Sequence, residues 1–398
     1  MQRLGYCKAV VLEDMIFQDG NELKESLKSL LNSEVSFSAN DNIIQCLNSI
    51  PKIEKYDTVT EDKIHSYLQY YYICTHPSQS GWLSRVFTKE YAEGLPKYLG
   101  LLDEFYRLTD FGFVLQKGLI SKEEVFAFHN LSVDINPLVL NISQKVFFLY
   151  NIISNDGDFF IPFVNTLSKE FTNTPFSYLD AGNLILEVLR DMFQRFSSTG
   201  YSSDDRKRIS DLKSAIVQVE KAIKENIEKQ GSVSRREQTT IPRLEWLIDL
   251  GFAEKISDPG QSRLYRFTDY GHRFAKLFYV TYSELEKTKY IDEVIATILD
   301  KICYRNLFNV YNNQENPTID SEINNYLFSA YAKMKGVSGY CVVRPLLLLA
   351  NSLRIEKNQG VIDYVDVKEK LKQAYLNNPS SLYYTTTRDG KDIQLIFN

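Results

Sequence analysis

Four histidines (His65, His76, His129 and His272) and five cysteines (Cys7, Cys46, Cys74, Cys303 and Cys341) are the residues that could ligate a metal or attack a substrate. Cys74 and His76 stand two positions apart, but no second pair follows at ligand spacing. Positions i and i+2 rarely converge on one substrate atom, so neither zinc nor a Cys–His nucleophile is favoured. The sequence lacks a GxxxxGK phosphate loop, a GxGxxG turn, an HExxH helix and a CxxC pair, and no cofactor or metal is expected. Restriction-type nucleases place Asp and Asp/Glu-x-Lys around a divalent ion, and two fragments fit loosely. Asp204 with Asp211 and Lys213 falls on one predicted helix and reads as a solvated face. Asp363 and Asp366, with Lys368, leave no room for the strand such a site needs.

The cations are more informative. Between Tyr201 and Lys276 fifteen Lys and Arg stand against twelve Asp and Glu, a local surplus of three in a chain whose net charge is −5. That balance excludes a protein coated in basic surface, so any nucleic-acid site has to be local. The 26 Tyr and 24 Phe do not alternate with cations in the pattern of a single-strand binding platform, and they read as core and interface filling.

These residues must be carried by helices for the most part. Apolar spacing predicts helices at Asn21–Leu31, Glu61–Tyr72 and Leu179–Phe196, and a strongly apolar stretch runs from Asn136 to Ile153. Ile209, Leu212, Ile216, Val219 and Ile223 alternate spacings of three and four, the seam of a short coiled coil behind a cap at Ser203-Asp204-Asp205. Such a seam serves equally a homodimer through the helix 206–230 or a helix packed on its own domain.

An internal echo organises the chain. Phe105-Tyr106-Arg107-Leu108-Thr109-Asp110-Phe111-Gly112 matches Leu264-Tyr265-Arg266-Phe267-Thr268-Asp269-Tyr270-Gly271, and Leu95-Pro96-Lys97 upstream corresponds to Ile241-Pro242-Arg243. In the second copy, Thr239 and Thr240 can cap a helix with Pro242 in its first turn, ending at Gly251. Phe252–Ser257, a turn at Asp258-Pro259-Gly260 and the alternating run Arg263–Phe267 read as a hairpin, after which Thr268 or Asp269 caps another helix.

This order, over about 45 of the 398 residues, resembles the prokaryotic form of the winged-helix family. The resemblance makes Thr240–Leu250 the recognition helix and the loop Asp258–Arg263 the wing. It names Arg235, Arg236, Thr239, Thr240, Arg243, Arg263 and Arg266 as candidate DNA-contacting residues, acting mainly on phosphates. In the first copy Tyr106 follows Pro96 by ten positions, against twenty-three from Pro242 to Tyr265, so its hairpin must be truncated or absent. A third unit closes the chain: helices at Val342–Leu353 and Val367–Leu376, then Leu382–Thr387 and Lys391–Phe397 around Asp389-Gly390.

The expected fold is therefore mainly α with small β-hairpins, a multi-domain helical protein with tandem winged-helix modules. Its expected parts are an N-terminal helical region with a degenerate winged-helix-like unit (1–120), a helical middle (121–200), a long helix with a winged helix (201–290), and a C-terminal α+β domain (291–398). The resemblance implies a non-catalytic subunit that binds double-stranded DNA within a larger bacterial assembly, such as a phage-defence or restriction-type system. A protein-interaction scaffold whose winged helices do not bind DNA, and a divergent metal-dependent nuclease, are the alternatives. An odd, scattered cysteine count and the lack of a signal peptide or of any long apolar run fit the cytoplasm and no membrane.

Overall fold

The computed structural model describes residues 4–13, 95–103, 108–124, 139–172, 174–198, 203–228, 234–256, 264–285, 327–335, 339–356, 364–386 and 393–397. The helices expected at Asn21–Leu31 and Glu61–Tyr72 lie outside these residues, as do Cys46, Cys74, Cys303, His65, His76, His129, Arg263 and both hairpin turns. What is described is mainly helical with two small antiparallel sheets of three strands. In chain order the α-helices and strands are α1 (Leu4–Glu13), α2 (Leu95–Tyr98), α3 (Asp110–Phe113), α4 (Ile142–Glu170), β1 (Phe176–Ser177), α5 (Tyr178–Asn183), α6 (Ile185–Ser198), α7 (Ser203–Glu228), α8 (Ser234–Leu250), β2 (Ala253–Lys255), β3 (Leu264–Phe267), α9 (Asp269–Leu285), α10 (Phe328–Met334), β4 (Cys341–Val342), α11 (Val343–Glu356), α12 (Tyr364–Asn377), β5 (Leu382–Thr386) and β6 (Ile393–Phe397).

The chain groups into two compact units. One comprises Phe148–Pro317 with Arg354–Asp366; the other comprises Gln2–Phe147, Thr318–Leu353 and Val367–Asn398.

In the first unit an aromatic core joins helix to sheet. Phe252 stacks on Phe274 at 4.4 Å, Phe160 lies 6.1 Å from both Trp246 and Phe274, and Phe176 on β1 packs against Tyr265 and Phe267 of β3. The strand order is β1-β3-β2, so the strand preceding α5 pairs with the last strand of the hairpin. The helix expected at Leu179–Phe196 is two helices, parting at Leu184 after a capping box in which Ser177 and Asp180 satisfy each other's backbone N–H. α6 and α7 pack together, with Arg190 paired to Glu220 and Lys213 over the Phe193 ring. Ile209, Leu212, Ile216 and Val219 of the heptad seam are each half-buried.

α8 differs from expectation at its start. It begins at Ser234, so Thr239 and Thr240 lie inside the helix rather than capping it, and Pro242 sits in its interior. The ring of Pro242 deletes one interior hydrogen bond. Burial of Leu244, Trp246, Leu247 and Leu250 on the following turns supplies the packing that outweighs a local break signal.

The second unit has a sheet of order β4-β6-β5, again with the strand preceding a helix paired to the last strand of the hairpin. Leu382 and Leu395 face the core, and Tyr331 of α10 meets Phe397 edge-on at 5.1 Å. α1 is held here by a buried network. The Lys8 ammonium binds the Glu124 carboxylate and donates to Gln144 Oε1 at 3.0 Å, while the Gln144 amide donates to Leu119 O and to Glu124. Gln144 also closes a reciprocal cap with Asn141 at the start of α4. Gly118 packs on Leu349 of α11 so closely that a Cβ there would strike the leucine side chain.

Candidate nucleic-acid interface

The described part of the duplicated octapeptide, Leu108–Gly112 with its counterpart Phe267–Gly271, forms the same local structure twice. Gly100 (φ 70°) follows α2 and Gly251 (φ 84°) follows α8, left-handed positions that glycine occupies without strain. In each case the glycine N–H bonds the carbonyl three residues back and the next N–H bonds the carbonyl five back, Leu101 to Pro96 at 2.8 Å and Phe252 to Leu247 at 2.7 Å. The chain then pairs with the strand that returns. Thr109 and Thr268 each donate a hydroxyl hydrogen bond to that glycine's carbonyl and accept one from the N–H of Gly112 or Gly271. A methyl on Gly112 would run into the Leu101 carbonyl, and one on Gly271 into the Phe252 carbonyl. Between helix end and motif, the described residues of the second copy form β2 and β3, and those of the first make a Leu102–Leu108 bridge.

The expected DNA-contacting residues scatter. Thr240 is fully buried, and its hydroxyl faces the interior. Arg243 also turns inward: its Nε and one Nη donate to the two Asp156 oxygens at 2.7 Å, and the guanidinium lies 4.4 Å from the Phe159 ring centre and 5.6 Å from that of Trp246. Thr240 and Arg243 therefore do not present themselves outward as DNA contact would require. Helical periodicity does not reveal that a buried carboxylate on another helix claims the cation. Arg266 is exposed on β3 but forks onto Glu254 of β2 at 2.6 and 2.9 Å. Arg235, Arg236 and Thr239 belong to the first part of α8, and only their helical backbone is described. The cationic surplus of this segment is thus reduced by a carboxylate from outside it, Asp156.

No protein-family model matches the chain, and no curated protein or solved structure matches it.

A cationic face does exist on α12. Lys368 and Lys372 are exposed and one turn apart, and Tyr375 and Leu376 follow on the same side. Tyr375 lies 6.5 Å from Tyr383 and 6.2 Å from Tyr384 of β5, and Tyr383 lies 6.2 Å from Tyr340, which precedes β4. In the sequence Lys368 reads only as part of a loose metal-site fragment with Asp363 and Asp366, and Lys372 carries no motif. The signal lay in their spacing of four and not in their number.

Among the described residues, nucleophile chemistry has one geometric candidate, the Ser168 hydroxyl 2.8 Å from His272 Nδ1. His272 leans on Phe267 at 5.3 Å, so the pair ties α4 to α9 beside the sheet. Cys341 is no nucleophile: burial, and then the charge of Asp110, push its thiol up to about 12. Asp211 and Lys213 are exposed on α7, as a solvated face requires. Among the described residues no cluster of three His, Cys, Asp or Glu could hold a metal ion, and no helix is long and apolar enough to cross a membrane.

Proposed function

We propose that this chain is a non-catalytic DNA-binding protein built from winged-helix units, and that duplex contact is centred on α12 of the C-terminal unit. The observation carrying this reading is the recurrence of one element order. α10-β4-α11-α12-β5-β6 is helix, strand, two helices and hairpin, with the first strand paired to the last. α4-β1-α5-α8-β2-β3 repeats it, with the α6–α7 pair inserted before the third helix. In a winged helix the last helix before the hairpin is the one offered to the groove, and on α12 that helix displays Lys368 and Lys372. Its counterpart α8 commits Arg243 to Asp156, so the central unit is the weaker binder.

The test is duplex binding by the full chain, followed by anisotropy across a salt series without divalent metal. Lys368→Ala with Lys372→Ala is expected to weaken binding on every sequence and to flatten the salt dependence by about two units, one per lost phosphate contact. Unchanged affinity and slope in the folded variant would move the DNA site elsewhere.

The second reading, a protein-interaction scaffold within a larger assembly, is favoured by the Arg266–Glu254 and Arg243–Asp156 pairs, which neutralise cations where DNA would need them. Absence of any salt-sensitive duplex binding at low ionic strength would decide for it.

A further inference from the structure

We infer that the surface formed by α12 and the outer face of the β4-β6-β5 sheet takes DNA carrying unpaired bases, a duplex with a single-stranded extension rather than a plain duplex. This deepens the DNA-binding reading and rests on it.

Strand alternation sets out the surface. Leu382 and Leu395 point into the core, so their neighbour Tyr383 stands on the opposite side of the sheet. Tyr383 pairs with Ile396, and because Cys341 pairs with Leu395, Tyr340 continues the same cross-strand row. Both tyrosines are open, at 43% exposure for Tyr340 and 42% for Tyr383. Tyr375 carries the row onto α12, where Leu376, Lys372 and Lys368 lead along the helix. The row of rings thus ends on the helix that carries Lys372 one turn before Tyr375 and Lys368 two turns before it.

Each part has a use in that ligand. Base faces stack on aromatic side chains whatever their sequence, and lysines one helical turn apart meet the phosphates of the same strand. Charge favours an anionic occupant over a purely apolar one: α12 holds Lys368, Lys370 and Lys372 against Asp366 and Glu369, and Lys368 and Lys372 are exposed. In a plain duplex the bases are already stacked on one another and offer the tyrosines only edges and sugars. An extension supplies free faces beside a duplex that α12 still holds.

Binding of the full chain is measured on three labelled ligands: a blunt duplex of about 20 base pairs, the same duplex with a thymidine extension of about ten nucleotides, and the extension strand alone, lengths that suit a site of one module. The wild type is expected to prefer the extended duplex over the blunt one by about tenfold, the gain of one well-stacked base. Tyr340→Leu with Tyr383→Leu keeps apolar bulk but removes the rings. It should erase that preference while leaving blunt-duplex affinity within about twofold, whereas the Lys368 and Lys372 variant weakens all three ligands. Tyr383→Trp, which needs no cavity because the position is open, should keep the preference and have its added indole fluorescence quenched by the extended duplex alone. Equal wild-type affinity for blunt and extended duplexes overturns this inference and leaves the DNA-binding reading standing. A preference that survives the double leucine variant, or an indole signal in Tyr383→Trp that is blind to the extension, also overturns it. No binding to any of the three ligands overturns both.

Discussion

Lys8 and Glu124 are a buried ion pair with every remaining polar group occupied by Gln144, Ser121 N–H or Val139 O. Burial opposes both charges. For Lys8 burial prevails over the hydrogen bond and charge of Glu124, and the ammonium pKa is lowered. For Glu124 the hydrogen bond from Lys8, the Ser121 N–H, the Lys8 charge and the Gln144 amide outweigh burial and hold the carboxyl below the usual range. Breaking such a pair from one side leaves an uncompensated buried charge, so Lys8→Met should cost about 3–5 kcal/mol in urea unfolding, and adding Glu124→Leu should recover much of it. Because the Glu124 pKa is depressed in the folded chain, the stability it contributes is present above the ordinary glutamate pKa and lost as pH falls through the lower, folded value. The wild type should therefore lose more stability on acidification than the double variant; parallel losses would assign the acid sensitivity to other groups. Arg243 obeys the same logic with Asp156, whose side chain is 4% exposed against 14% for the arginine. Arg243→Ala should lower stability by about 3–5 kcal/mol through the abandoned carboxylate, and a DNA-binding assay of that variant would report unfolding rather than a lost phosphate contact.

At the scale of elements, the Thr-Asp-aromatic-Gly motif is a device for turning a strand into a helix against the end of an earlier helix. The threonine caps the new helix and clamps the glycine carbonyl of the old one, while the motif's own glycine lets the two backbones touch. Gly271→Ala should destabilise by about 1–3 kcal/mol, since a methyl placed against the Phe252 carbonyl must displace backbone. Thr268→Val, which keeps the shape and loses both hydrogen bonds, should cost about 1 kcal/mol. Calorimetry that found Gly271→Ala harmless would mean the helix start can slide. The α6–α7 pair poses the question that the heptad left open. Leu212 and Val219 are half-buried where α7 meets α6, so Leu212→Asp or Val219→Asp is expected to lower thermal stability without changing the sedimentation coefficient. A dimeric wild type that became a folded monomer would instead put that seam between two copies.

For the molecule as a whole, the consequential fact is that one unit draws on both ends of the chain, Gln2–Phe147 with Thr318–Leu353 and Val367–Asn398. Gly118 fits against Leu349, and Asp110 lies near enough to Cys341 to affect its thiol, so the truncated first copy and the C-terminal sheet share a core. A fragment starting at Thr318 should consequently lack the cooperative melting transition that the full chain shows. If that fragment alone melts cooperatively, the C-terminal unit needs no N-terminal partner. Native Cys341 should likewise resist alkylation at neutral pH, and react only when this unit opens.

The sequence by itself determined what local chemistry dictates: helix from 3.6-residue periodicity, the hairpins from alternation, and the doubled Thr-Asp-x-Gly motif, whose hydrogen bonds span no more than a helix end and a strand. It did not determine where α8 begins, because Pro242 reads as a first-turn residue until the packing of its neighbours is known. Nor did it determine which cations are free. Asp156 lies 87 residues from Arg243, and only the tertiary structure brings them together and withdraws that arginine from the surface. The strip from Lys368 to Tyr340 was illegible for the same reason, since its parts lie on a helix, a strand and a loop that become neighbours only when the last strand pairs between β4 and β5.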